Sequence, residues 1–491
     1  MSGELYVGVD VGTTATKAIL VDVDGQVVER GRAAHDASLS AGRVDPACWW
    51  ASVVDAVVQL GGARARAVTV GISVHAPVLV PMGEDGRPLS DGYRFDAPGL
   101  PGLVSAAATA IGSDALARIG NPYTPATAIV VASRLFEREH GDRVGALRWF
   151  GSVGSVIGHR MTGEVAIDPS QASYYGCFDV VGGAQWLVPA AAALDVPLER
   201  LPPVRPSGSV LGPLLPEAAE ILGLTPGIRV CVPGGDTPSA AVAIGLGADA
   251  ATLLTLGTTH VVTRLRTAPD TRNRRLLQRA HLVDGAWLAH GATNGGLALS
   301  VGVREMGGQA EGAVADVIAA AAALPPAEIA MAPYWLPHVI PERGPLWMSE
   351  PATGLVGVRD GATVETRMAA WAVIEGVLFA DRLVLGQVEG HYTGPIRVSA
   401  DLSGGADLVQ LAADAFGREL RVVCESHLSA LGAARHAAAA EGIHIPADSA
   451  ELVVAPRDER RNLVETRWET WRTHRAARLG RVDQEVSLLG G

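Results

Sequence analysis

Hydrophobic and polar positions along the first hundred residues alternate between strand and turn. Leu5–Val9 and Ala18–Val23 carry the near-continuous apolar character of buried strands, and Asp24-Gly25 supplies a hairpin turn into Gln26–Arg32. Residues Trp49–Leu60 predict a helix, and Ala67–Ile72 and Val78–Val80 predict further strands. This order fits an α/β layer in which an antiparallel hairpin edges a parallel sheet.

A second unit of the same kind appears downstream. Val230–Val232 leads into Gly234-Gly235-Asp236, Ala251–Leu256 leads into Gly257-Thr258-Thr259, and Val261–Leu265 follows. Gly12-Thr13-Thr14 thus recurs at residues 257–259, each time after a strand. The repeat predicts two related domains facing a shared cleft, residues 1–245 and 246–491, with the boundary in the Gly- and Ala-rich stretch Gly245–Ala250. Asp458–Leu479 is charged, with Trp468 and Trp471 three apart, and predicts a surface helix docked by an aromatic stripe.

Composition narrows the classes. The chain has 491 residues, 48% hydrophobic and 19% charged, which suits two or three globular domains. A net charge of −12 argues against a nucleic-acid partner. Cys48, Cys177, Cys231 and Cys424 are scattered, without metal-ligand spacing or a disulfide framework. The longest apolar stretch, Val317–Leu324, is too short to span a bilayer, and no basic-apolar leader opens the chain. The expected compartment is the cytoplasm, with no membrane partner, and a homodimer is compatible with the chain. Lysine is nearly absent: Lys17 is the single one among 40 basic residues.

Lys17 closes the run Asp10-Val11-Gly12-Thr13-Thr14-Ala15-Thr16-Lys17. A glycine turn presents successive N–H groups that can cup an anion, and the Thr hydroxyls add donors. Asp10 cannot favour a phosphate directly, but it suits a Mg²⁺ ion held through water. A compact ammonium at Lys17 would add point charge. In Gly234-Gly235-Asp236-Thr237 the carboxylate can project from a glycine-rich loop as a general base, or act as a helix cap. Ser403-Gly404-Gly405-Ala406 opens the predicted helix Val409–Phe416 and leaves room for a flat base or a ribose. His290–Gly296 reads as a flexible polar loop before an apolar helix. Taken singly, each of these fits an ordinary turn or helix start.

Taken together and in order, they resemble the FGGY carbohydrate kinases, nearly end to end. Asp10–Lys17 is similar to the family's first phosphate motif, and Val44-Asp45-Pro46 with Trp49-Trp50 to the segment before its first helix. Arg160–Glu164 and Asp168–Ser173 are similar to a mid-domain signature, Gly234-Gly235-Asp236 to the catalytic loop, and Leu256-Gly257-Thr258 to the second phosphate motif. Pro333–Arg343, Ile374-Glu375-Gly376, and Gly404-Gly405-Ala406 with Gln410 and Asp414 complete the series. The resemblance implies an actin-like, ribonuclease-H-like fold whose two domains close over ATP and Mg²⁺. It implies phosphoryl transfer to a small polyhydroxy substrate. Asp236 would be the base, and Asp10 and Asp236 the carboxylates facing the metal. Gly12, Thr13, Thr14, Lys17, Gly257 and Thr258 would grip phosphates, with Gly404, Gly405 and Ala406 under the nucleotide.

The acceptor side departs from the family pattern. The slots for Gln-Met-His hold His75, Ala76 and Pro77, and the usual Trp-Asn-Asp-x-Arg becomes Phe95-Asp96-Ala97-Pro98-Gly99. His75 and Asp96 are the substrate-binding candidates, with Arg94 as a substitute cation. Missing hydroxyl partners argue against a plain xylulokinase and for another polyol, a deoxy sugar or a cyclitol. The competing readings are a non-catalytic relative that binds sugar or nucleotide, and an ATPase without a sugar acceptor.

Overall fold

The computed structural model describes residues 3–35, 42–247, 251–270, 273, 275–305, 311–358, 364–390, 393–400, 406–446 and 451–480. Gly404 and Gly405 of the expected nucleotide segment lie outside the described residues. Two seven-stranded sheets dominate. The first runs in the order Val27–Ala34, Ala15–Asp22, Leu5–Val11, Ala67–Val74, Arg229–Cys231, Val210–Pro213, with Gly234–Gly235 also pairing with Ala67–Val74. The second runs Leu277–Ala280, Trp287–Thr293, His260–Arg266, Thr252–Leu256, Ile396–Ala400, Leu420–Val423, Glu451–Val454.

The two sheets share a plan. In the first, Leu5–Val11 is antiparallel to Ala15–Asp22 and parallel to Ala67–Val74, and an antiparallel strand closes the far edge. In the second, Thr252–Leu256 is antiparallel to His260–Arg266 and parallel to Ile396–Ala400, with Glu451–Val454 antiparallel at the edge. Each Gly-Thr-Thr turn therefore joins the corresponding pair of strands. Leu5–Val11 is buried at every position except Asp10, as a strand covered on both faces must be.

Helix Ala47–Val58 begins two residues earlier than the pattern predicts and buries Cys48, Trp49, Ser52, Val53, Ala56 and Val57, one face at helical period. The long helix Thr366–Glu389 fills the second core. Helix Arg461–Leu479 packs through Trp468 and Trp471, whose rings stack 5.7 Å apart, as the stripe predicts. Residues 290–293 belong to a strand and 295–305 to a helix, so only Asn294 remains of the expected flexible loop. Tertiary pairing with His260–Arg266 overrides the local Gly content there.

One helix from the second half, Leu428–Ala440, returns to the first sheet. It approaches so closely that a Cβ on Gly8 would meet the Ala430 carbonyl oxygen at 1.9 Å. One on Gly71 would meet the Ala433 oxygen at 2.0 Å, and one on Gly432 the Ser239 oxygen at 1.7 Å. Glycine is demanded at these contacts because backbone packs directly on backbone.

Candidate active site

Three chain segments end side by side at the carboxyl edge of the first sheet. Register places Asp10 opposite Ser73 on one side and Lys17 on the other, while Gly234 pairs with Ser73 and Gly235 with Val74. The carboxyl ends of parallel strands are where α/β sheets present ligand-binding groups. Asp10 and Asp236, far apart in sequence, therefore face each other. Ser73 Oγ donates to Asp10 Oδ1 at 2.9 Å. Burial, reinforced by repulsion from Asp236, pushes the Asp10 carboxyl up to about 7, against the Ser73 hydrogen bond and Lys17.

Asp236 is the first residue of helix Asp236–Ala243, with Gly235 as its cap, so the carboxylate is not itself the cap. Its Oδ1 accepts from the Thr237 N–H at 2.6 Å and lies 3.6 Å from Arg279 Nη1. Asp10, Lys17, Asp236, Thr255, Ser399 and Ser426 line a cleft of about 590 Å³ to which both halves of the chain contribute. Lys17 Nζ donates to the Ser426 carbonyl at 2.7 Å, and Arg30 pairs with Glu425 at 2.6 Å, tying the first hairpin to the segment after Leu420–Val423.

The two Gly-Thr-Thr turns are not among the residues lining this cleft; each follows the strand that carries a lining residue, Asp10 for the first and Thr255 and Leu256 for the second. Thr13, Thr14, Gly257 and Thr258 are exposed. Gly12 N–H bonds the Ala15 carbonyl at 3.0 Å, which tightens the first turn. Behind the second turn, the Leu297 N–H donates to the Thr258 carbonyl at 2.9 Å. A Cβ on Gly296 would meet the Gly257 oxygen at 2.1 Å, so the helix start rests on the turn. His260 Nδ1 lies 2.6 Å from Asp381 Oδ2, and Thr293 Oγ1 donates to Asp381 Oδ1 at 2.6 Å, all three buried.

Of the residues expected to bind the acceptor, His75 bonds the Val11 carbonyl through Nδ1 at 2.9 Å, and its ring lies 5.8 Å from that of Trp49. Burial lowers its pKa against the favourable Val11 bond and the nearby Asp236. Arg94 and Asp96 pair with each other, Nε to Oδ1 at 3.1 Å, which occupies both candidate groups. Arg343, from the second half, lies 5.8 Å over the Phe95 ring. Ala406 opens helix Ala406–Phe416, where Gln410 reaches Ala455 and Asp414 is held by Arg457.

Ser73, Tyr174, Arg279, Glu425 and Ser426 escaped the sequence reading. Arg279 sits on an edge strand with no motif, and only the docking of that strand on Asn121 and the Ser170–Ser173 segment carries it to Asp236. Ser73 is legible in hindsight as the residue facing Asp10 across a parallel pair.

Comparison with known proteins converges on the same family. The family model for the N-terminal domain of the FGGY carbohydrate kinases matches residues 5–243. The chain is 29% identical to xylulose kinase of Streptomyces rubiginosus over 286 residues, 55% of this chain and 56% of that protein. It is 26% identical to xylulose kinase of Escherichia coli K12 over 474 residues, 88% of this chain and 89% of that protein. Several curated relatives, the Streptomyces protein among them, are thus matched over only about half their length. The crystal structure of xylulose kinase from Rhodospirillum rubrum superposes with a TM-score of 0.85 at 23% identity, covering 97% of this chain and 99% of that one. That likeness establishes the two-domain, actin-like and ribonuclease-H-like α/β fold. By the match of its first half to the family model and by these relatives, the chain belongs to the FGGY family of carbohydrate kinases.

Proposed function

We propose that this protein transfers the γ-phosphoryl group of MgATP to a hydroxyl of a small sugar, polyol or cyclitol. The observation that carries the reading is the convergence of Asp10, Lys17 and Asp236 on one cleft walled by both halves of the chain. Residues 1–245 would form the acceptor- and phosphate-binding domain and 246–491 the nucleotide domain, with helix Leu428–Ala440 crossing between them. A cytoplasmic setting, where ATP is supplied, goes with this reading.

Asp236 takes the proton of the acceptor hydroxyl as its oxygen bonds to the γ-phosphorus and the bond to ADP breaks. Gly12, Thr13, Thr14, Gly257 and Thr258 hold the phosphates by N–H and hydroxyl donors, and Lys17 offsets charge that develops on them. The donor set fits Mg²⁺: two carboxylates, Asp10 and Asp236, with no cluster of three or more His, Cys, Asp or Glu metal candidates among the described residues. Mg²⁺ keeps several waters and takes phosphate oxygens, so one or two carboxylates suffice. When bound, the ion screens the phosphate charge. Domain closure excludes water as a competing acceptor.

Xylulose, the substrate in the relatives' names, is the first acceptor to test. The Arg94–Asp96 pair and the His75-Ala76-Pro77 segment support a different polyhydroxy compound as the better one. The test is acceptor-stimulated ADP release across sugars, polyols and cyclitols. Stimulation by at least one class supports the reading; a flat response across the panel contradicts it.

A further inference from the structure

Arg279 is a cation from the second sheet buried against the catalytic loop of the first. It is 2% exposed on edge strand Leu277–Ala280. That strand is pinned on both sides of it. The Gln278 N–H donates to Asn121 Oδ1 at 2.6 Å, Asn121 Nδ2 to the Gln278 carbonyl at 2.9 Å, and the Ala280 N–H to Ser173 Oγ at 3.1 Å. The guanidinium lies over the Tyr174 ring at 4.8 Å and donates through Nε to the Ser170 carbonyl at 3.2 Å. Ser170 also fixes the loop itself, since its Oγ accepts from the Gly235 N–H at 2.9 Å.

The charge of Arg279 is only partly satisfied by these contacts. Nη2 is buried without a hydrogen-bond partner among the described residues, and Nη1 lies 3.6 Å from Asp236 Oδ1. A buried cation in this state is costly unless a counter-charge faces it. Asp236 is the acidic group with which Arg279 forms its ion pair. The fit is tight on the other side too, because a Cβ on Gly235 would meet Nη2 at 2.0 Å. Among the described residues, the Thr237 N–H and hydroxyl both donate to Asp236 Oδ1, and this ion pair falls on the same oxygen.

We infer that Arg279 is a positioning residue for the reaction. It holds Asp236 Oδ1 from the second half of the chain, so that Oδ2 is the oxygen presented to the acceptor hydroxyl. The alignment of Asp236 then depends on the two halves being in register at strand Leu277–Ala280. The inference rests on the proposed role of Asp236 as base. Misplacing a reacting group by about 1 Å costs on the order of 100-fold in rate.

The test compares wild type with Arg279→Met, Arg279→Lys, Gly235→Ala, the Arg279→Met/Gly235→Ala double variant and Asp236→Asn, using MgATP and xylulose or the best acceptor of the panel. Arg279→Met is expected to lower kcat by about 10- to 100-fold with KM for ATP within about threefold, and Arg279→Lys to recover part of the loss. Gly235→Ala, which displaces Nη2, is expected to act through the same contact, so the double variant is no worse than the poorer single one. Crystal structures should show the Asp236 carboxylate rotated or spread over conformers in Arg279→Met, a readout independent of any acceptor and of thermal stability. Wild-type kcat in Arg279→Met, an unmoved Asp236, or losses that multiply in the double variant would overturn the inference while an inactive Asp236→Asn leaves the base assignment standing. Full turnover by Asp236→Asn would overturn both.

Discussion

Asp10 and Lys17 are register partners in the first hairpin, yet the Lys17 ammonium bonds the Ser426 carbonyl of the other half at 2.7 Å. The hairpin thus carries the chain's one lysine across the floor of the cleft, beside Asp10 and Asp236. A carbonyl is a weaker partner for an ammonium than a phosphate, so a bound triphosphate would compete for Lys17 with little cost. The Arg30–Glu425 pair next to it keeps the two segments together when Lys17 shifts.

Lys17→Ala should therefore lower kcat by about 100-fold, the scale of losing one preorganised charge contact to a transferring group. Lys17→Arg should keep part of the activity, because the charge remains but its planar fork places it differently. Steady-state ADP release measures both. Equal activity in wild type and Lys17→Ala would return the residue to a compositional accident.

The Asp10 carboxyl gives a pH prediction. Its pKa in the fold is about 7, against an ordinary value of 3.8, because burial and Asp236 disfavour the charge. Between those values the folded protein retains a proton that the unfolded chain has lost. Stability therefore falls as pH rises from about 4 to about 7, and the penalty is complete above that. Asp10→Asn removes the penalty. Its melting midpoint without ligand should exceed that of wild type at pH 8 and approach it near pH 4. Parallel midpoints across this range would contradict the account.

Behind the Gly257–Thr259 turn, Asp381 accepts from His260 and Thr293 with almost no exposure. Asp381→Asn exchanges an acceptor for a donor at the centre of this network. The expected cost is about 3 kcal/mol, the low end for breaking a buried hydrogen-bonded pair. KM for ATP should rise as the Gly257–Thr259 turn loosens. Urea unfolding and ATP titrations measure the two effects separately.

Glycine contacts separate tight from idle positions. Gly432→Ala would drive a methyl group to 1.7 Å from the Ser239 carbonyl oxygen, so it should destabilise the fold by about 3 kcal/mol or more. Gly386→Ala, exposed in helix Thr366–Glu389 with nothing within 4 Å, should stabilise it by about 1 kcal/mol. Denaturant midpoints of the two variants should move in opposite directions.

The two glycine turns and the two carboxylates were legible in the sequence because each lies in a contiguous motif. Asp10 to Lys17 is one hairpin, Asp236 starts a helix directly after a glycine pair, and Gly257–Thr259 repeats the first turn. Strand limits moved by only a few residues, as with Leu5–Val11 against the expected Leu5–Val9. What stayed hidden depends on contacts between distant segments. Arg279 reaches Asp236 only because Gln278 and Ala280 dock on Asn121 and Ser173, and no local pattern encodes that. His260, just before the expected strand Val261–Leu265, carries no signal of its own until Thr366–Glu389 brings Asp381 against it. The His290–Gly296 segment misled for the same reason: its glycines serve close packing, at Gly291 against Val384 and at Gly296 against Gly257, and not flexibility.

The most direct test of the account follows the γ-phosphate itself. With γ-labelled ATP, Mg²⁺ and the best acceptor of the panel, wild type should move label to the acceptor, with one ADP formed per phosphoryl group transferred. Asp236→Asn should lose at least about 100-fold of that transfer while still binding ATP, since the phosphate turns remain intact. Label released only as inorganic phosphate, or transfer undiminished in Asp236→Asn, would contradict the claim that this cleft is a hydroxyl phosphotransferase site with Asp236 as its base.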